Sequence, residues 1–104
     1  HNLDNLIAII DYNKIQGSAE VNNVLSLGDL RKKFETLGWY STEIDGHNFS
    51  QIINELKAVK EGKPKMVVAH TIKGKGVSFM ENTPRWHGGV PQKDLLAKAY
   101  EELK

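Results

Sequence analysis

Two stretches of the chain are apolar without interruption. Leu6-Ile-Ala-Ile-Ile10 is rich in β-branched residues and runs directly into the polar Asp11-Tyr12-Asn13. Lys65-Met-Val-Val-Ala69, after Pro64, has the same character, and Trp39 to Ile44 is a weaker strand with aromatic and β-branched residues. Runs that are apolar throughout, rather than alternating, predict strands covered on both faces, as in parallel sheets. Between them the period changes. Leu27, Leu30, Phe34 and Leu37 form one helical stripe. Ser26 is placed to cap it with Asp29 three residues on, and Gly38 sits where a left-handed residue ends a helix. Phe49, Ile52, Ile53, Leu56 and Val59 make a second stripe, predicting a helix from about Phe49 to about Lys60 between an Asn48 cap and a Gly62 stop. Leu95, Leu96, Ala99, Tyr100 and Leu103 predict a third, roughly Lys93 to Leu103.

The order is β-α-β-α-β-α with short connections, which predicts an α/β fold: part of an open parallel sheet with flanking helices and right-handed crossovers. Three strands are few for such a sheet, so more of it is expected upstream or in another chain. The chain begins at His1 and enters a strand almost at once, which reads as a piece of a longer polypeptide.

Composition narrows the class. The 104 residues allow one domain at most, and 39% apolar with 26% charged residues is ordinary for a globular protein. A formal charge of +1 lacks the concentrated basic face that nucleic acid or a membrane surface needs. With no cysteine there is no disulfide scaffold, thiolate metal site or thiol nucleophile. The longest apolar run is Leu6 to Ile10, too short to span a bilayer, and no secretory signal is present.

In open α/β sheets ligands bind beyond the carboxyl ends of the strands. Three segments occupy that position: Asp11 to Gly17, Asp45-Gly46-His47, and His70 to Gly76 with the aperiodic stretch that follows to Pro91. Lys73-Gly74-Lys75-Gly76 has the composition of a phosphate-contacting turn, and equally that of a surface turn with solvated lysines. It is neither a Walker loop nor GxGxxG, since Phe stands at position 79. Asn13 reads as a turn residue or a metal ligand, and His87 as a packed loop residue or an active-site group. His47 marks a strand-to-helix turn, and His70 a satisfied structural histidine. No histidine pair has zinc-site spacing.

In combination the motifs are more specific. Leu3 to Gln16, Gly38-Trp39, Asp45-Gly46-His47, His70-Thr-Ile-Lys-Gly-Lys-Gly-Val-Ser-Phe-Met-Glu-Asn82 and Trp86-His-Gly88 occur in this order. The series resembles the later part of the N-terminal, diphosphate-binding domain of transketolase, most closely the form split into two polypeptides. 1-Deoxyxylulose-5-phosphate synthase shares the plan, but Trp-His-Gly followed by Pro favours transketolase.

The resemblance implies a thiamine diphosphate-binding fold and a set of roles. Asn13 matches an Asn that binds Mg²⁺ (or Ca²⁺ or Mn²⁺), and Ile15 matches the donor of a backbone carbonyl to the same ion. Lys73 matches a lysine that contacts the cofactor in some members. His87 matches the histidine that touches the diphosphate and reaches toward the donor substrate. Gln16 lies near the expected cofactor without a secure match. The family's Gly-Asp-Gly turn belongs one helix upstream of Leu6, and its absence here implies a partial domain over residues 1–104 that is inactive alone. Implied partners are that N-terminal segment, a C-terminal half or second polypeptide, and a dimer of the complete unit. The implied reaction moves a two-carbon ketol unit between sugar phosphates, in the cytoplasm and the pentose phosphate pathway. Two other readings stand beside it: a transketolase-like binding module without activity, and a generic nucleotide-binding α/β domain.

Overall fold

The unbroken apolar runs become strands because β-branched side chains suit a pleated surface and leave no polar face for a helix to expose. The computed structural model describes residues 1–17, 19–58 and 60–104. Its elements are β1 (Ile7–Tyr12), β2 (Ile15–Gln16), β3 (Ala19–Glu20), α1 (Val21–Val24), α2 (Leu30–Thr36), β4 (Tyr40–Asp45), α3 (Phe49–Lys57), β5 (Lys65–His70), a 3-10 turn (Pro84–His87) and α4 (Asp94–Glu102). They form two compact units, one of His1–Tyr12 with Leu27–Thr71, the other of Asn13–Ser26 with Ile72–Lys104. Among the described residues no helix is long and apolar enough to cross a membrane.

The first unit is the parallel sheet expected from the sequence. Its order is β1-β5-β4, and both pairings are parallel. The step from β1 to β4 and the step back to β5 cross the sheet in opposite directions, so right-handed crossovers set α2 and α3 on opposite faces. β5 is central and buried from Lys65 to Ala69. β1 departs from the expectation of cover on both faces, since its burial alternates and Ile9 is 56% exposed. It is one of the two edge strands of this sheet, and Ile9 borders an apolar cavity of about 180 Å³ with Ile44, Ile52, Leu56, Val67 and Ala69.

The strands also run further than their apolar segments. The ladder continues through Tyr12↔His70 and Asp45↔His70 because backbone pairing does not require apolar side chains.

The helix ends show which local signals acted. α2 starts at Leu30, capped by Asp29 rather than Ser26: the Asp29 carboxylate accepts the Lys32 N–H at 2.9 Å and takes the donor that a cap must satisfy. Leu27 and Leu37 therefore lie outside the helix, and Leu37 is 71% exposed. The C-terminus is the expected one. Gly38 has φ +86°, its N–H bonds Glu35 O, and the Trp39 N–H bonds Phe34 O. The Phe34 and Trp39 rings meet edge to face at 5.7 Å, the apolar contact that accompanies this stop.

α3 begins at the predicted Asn48 cap, whose side chain accepts from Gln51 N–H, but ends at Lys57 rather than Lys60. Val59 lies outside the described residues. Lys65 accounts for the shorter helix, because its ammonium donates to the Glu55 and Ala58 carbonyls and finishes the last turn.

The second unit contains a hairpin of two-residue strands, β2 with β3, then α1, the 3-10 turn and α4. Val21, Val77 and Ala99 are its buried apolar side chains among the described residues. Neither the hairpin nor α1 has a counterpart among the elements expected from the sequence, since elements of two and four residues carry no measurable period.

Candidate functional site

The three parallel strands end at one edge, where Tyr12, His70 and Asp45 are in register. Side chains there are mostly tied to one another. His70 Nε2 lies 2.8 Å from Glu43 Oε2, with the Tyr12 ring edge-on to the imidazole at 5.6 Å. The Thr71 hydroxyl donates to the Asp11 carboxylate. In the Asp45-Gly46-His47 turn, the Gly46 N–H donates to His70 O at 2.8 Å and the His47 N–H to Asp45 Oδ1 at 2.9 Å. His70 is therefore paired at the end of β5, and His47 lies in the strand-to-helix turn between β4 and α3.

Asn13, Ile15, Lys73 and His87 all belong to the second unit. Asn13 directly follows β1 in the chain, and its Oδ1 accepts the Ile15 N–H at 2.9 Å across Lys14, which is left-handed at φ +63°. This is the local turn that Asn side chains favour. The Val21 N–H donates to Lys14 O, while Ile15 pairs with Glu20 and Gln16 with Ala19. Antiparallel ladders alternate bonded and non-bonded pairs, so Ile15↔Glu20 is the pair whose peptide groups point away from the partner strand. An amide oxygen and a peptide oxygen two residues apart are held in one tight turn. Among the described residues no group of three or more His, Asp or Glu side chains is arranged around a metal position.

The glycine-lysine turn is not open to an external anion at all of its donors. The Gly76 N–H donates to Glu81 Oε1 at 3.1 Å, and Lys75 Nζ lies 3.7 Å from the same oxygen. A carboxylate of the chain itself therefore uses the anion-binding composition that the sequence suggested. Lys73 differs. Its carbonyl accepts the Asn82 N–H at 3.0 Å, closing the loop, while its half-buried side chain makes no ion pair among the described residues.

His87 ends the 3-10 turn and is exposed. The turn is anchored next door: Trp86 Nε1–H donates to Phe79 O at 3.0 Å, the two rings meet at 5.4 Å, and the Arg85 guanidinium lies 5.5 Å from the Trp86 ring. Ser78 donates its N–H and hydroxyl to the Glu102 carboxylate at 2.5 and 2.7 Å. Those bonds, the hydroxyl's first, hold the Glu102 carboxyl below the usual glutamate range. Sequence reasoning missed Glu81, Ser78 and Glu102. Pairs separated by five and twenty-four residues leave no spacing to recognise.

Comparison with known proteins converges on one family. The family described as transketolase, thiamine diphosphate binding domain, matches residues 1–103. The chain is 40% identical, over its whole length, to a subunit of the apulose-4-phosphate transketolase of Actinobacillus succinogenes, and covers 38% of that protein. It is 38% identical over 99% of its length to the subunit of the same description from Phocaeicola vulgatus, covering 37% of it. The crystal structure of transketolase from Campylobacter jejuni superposes with a TM-score of 0.85 at 29% identity, over 99% of this chain and 16% of that one. The chain thus spans little more than a third of the subunits it matches, and the apolar strands, the Asn13 turn and the Trp86-His87-Gly88 loop occur within the matched residues. This chain belongs to the transketolase family, within its thiamine diphosphate-binding domain.

Proposed function

We propose that the Asn13 amide and the Ile15 carbonyl hold a divalent ion, Mg²⁺ or in its place Ca²⁺ or Mn²⁺, against the diphosphate of thiamine diphosphate. Lys73 and His87 face the diphosphate and the donor substrate. The observation that carries this reading is the turn at residues 13–15. The amide oxygen keeps a second lone pair after accepting the Ile15 N–H. Both oxygens are hard, uncharged donors of the kind that magnesium takes alongside phosphate and carboxylate. Two oxygens are a partial set for such an ion, whose remaining ligands would come from the bound diphosphate and from a carboxylate outside these residues.

Thiamine diphosphate, when bound, supplies the electron sink for cleaving and forming the carbon–carbon bond as a two-carbon ketol unit passes from a ketose phosphate to an aldose phosphate. The residues of this chain anchor, orient and exclude water. The Lys73 ammonium offsets diphosphate charge, the His87 imidazole donates a hydrogen bond to an anionic or hydroxyl oxygen, and the loop from Lys73 to Pro91 walls the pocket. The names of the relatives support transfer between sugar phosphates over the chemistry of 1-deoxyxylulose-5-phosphate synthase. They also support assembly with a second polypeptide or C-terminal half, since the relatives are themselves named as subunits. We place residues 1–104 as part of a diphosphate-binding domain whose Gly-Asp-Gly turn lies upstream, in a dimer of the complete cytoplasmic enzyme. Alone the 104 residues are inactive.

In the full-length parent, Asn13→Ala and His87→Ala each reduce ketol transfer or cofactor affinity by about tenfold or more. Unchanged kinetics for both variants removes the site assignment while leaving the family membership in place. Titrating the isolated chain with thiamine diphosphate and Mg²⁺, with and without a partner polypeptide, separates a half-site from a self-sufficient binding module.

A further inference from the structure

The loop between Lys73 and His87 is gripped at its middle by a helix that follows it in the chain. Both oxygens of Glu102, in the last turn of α4, accept from Ser78. The next residue, Phe79, takes the Trp86 indole on its carbonyl and its ring, and Lys98 of α4 stands 5.7 Å over that ring while pairing with Glu102 at 3.5 Å. A continuous chain of contacts runs from α4 through Ser78 and Phe79 to Trp86, the residue before His87. Within the loop, Glu81 ties back to Gly76, and Asn82 ties back to Lys73.

We propose that Glu102 is a positioning residue for His87: α4 holds the loop in its binding conformation before an anionic ligand arrives. The proposal rests on the reading of His87 as a ligand-facing group. Its physical content is preorganisation. Charge-assisted bonds from an ionised carboxylate to a backbone N–H and a hydroxyl are strong for their size. A loop that is competent only part of the time weakens apparent affinity by the fraction of time it is formed. Glu102 touches no reacting group. Its effect therefore falls on how much ligand is needed, and the rate at saturation stays close to normal.

The test uses the holoenzyme assembled from the full-length polypeptide, comparing Glu102→Ala, His87→Ala and the double variant, with melting temperatures measured alongside. Glu102→Ala raises the apparent KM for thiamine diphosphate about fivefold while kcat at saturating cofactor stays within about twofold. Glu102→Gln, which keeps an oxygen for the Ser78 N–H, recovers most of the loss. In the His87→Ala background Glu102→Ala adds no further change, since the group it positions is gone. If Glu102→Ala fails to fold, Ser78→Ala, which removes the hydroxyl bond to Glu102, carries the same comparison. A Glu102→Ala enzyme with unaltered KM, or one impaired equally in both backgrounds, overturns the positioning role and leaves His87 standing. A His87→Ala enzyme with normal kinetics overturns the reading of His87 and this proposal with it.

Discussion

Replacing Lys65 with methionine tests whether a buried ammonium ends α3 and thereby sets the start of the central strand. Lys65 is 3% exposed. Its Nζ donates to the Glu55 carbonyl at 2.6 Å and to the Ala58 carbonyl. It also lies 3.3 Å from Glu55 Oε1, an oxygen with no hydrogen bond among the described residues. Methionine keeps much of the stem's bulk and removes the charge. It strands a largely buried Glu55 carboxylate and removes the partner that the Glu55 and Ala58 carbonyls have among the described residues. Removing one partner of a buried pair costs about 3–5 kcal/mol; at a helix end within reach of water we take about 3 kcal/mol, or roughly 150-fold in the local opening equilibrium.

The assay is hydrogen exchange at the Ala58 amide, whose bond to Asn54 O at 3.1 Å closes the last turn of α3, alongside urea unfolding of the full-length polypeptide. Adding Glu55→Leu removes the stranded charge and restores about half the loss, because the carbonyls remain unpaired. The reasoning is refuted if Lys65→Met shifts stability by less than about 0.5 kcal/mol, or if the double variant is no better than the single one.

Gly46→Ala places a Cβ 2.5 Å from Thr71 Cγ2 and 3.1 Å from His70 O, where the strand-to-helix turn meets the end of β5. It costs about 1–3 kcal/mol by overpacking, and Thr71→Ser, which removes the clashing methyl and keeps the hydroxyl for Asp11, recovers part of that in thermal melts. Acidification releases the Ser78–Glu102 link. Because the folded carboxyl titrates below the usual 4.5, its contribution is complete above that value and is lost as pH falls through the lowered one. Melting curves of the wild type and Glu102→Gln therefore converge in acid, and a gap that stays constant with pH contradicts the assignment.

The site was legible in the sequence only in its local parts. Asn13 sits one residue beyond β1, in a residue type suited to a tight turn, and the structure makes that turn through Ile15. Lys73-Gly74-Lys75-Gly76 is uniform as a string, yet Glu81 engages Lys75 and Gly76 and leaves Lys73 distinct. The choice of Asp29 over Ser26 as the cap of α2 lay between two capable residues, and the Lys32 N–H decided it.

The sequence by itself determined the three strands of the parallel sheet, the two helices that cross between them, the Asn48 cap and the Gly38 stop. Periodicity and capping act between residues no more than four or five apart, so the chain displays them openly. Tertiary structure alone decided that β5 lies between β1 and β4, that Lys65 bonds a carbonyl of α3 ten residues before it, and that Glu102 holds Ser78. These contacts join residues whose separation has no period. Only burial, and the need of each buried polar group for a partner, selects them from the many pairings that the same sequence permits.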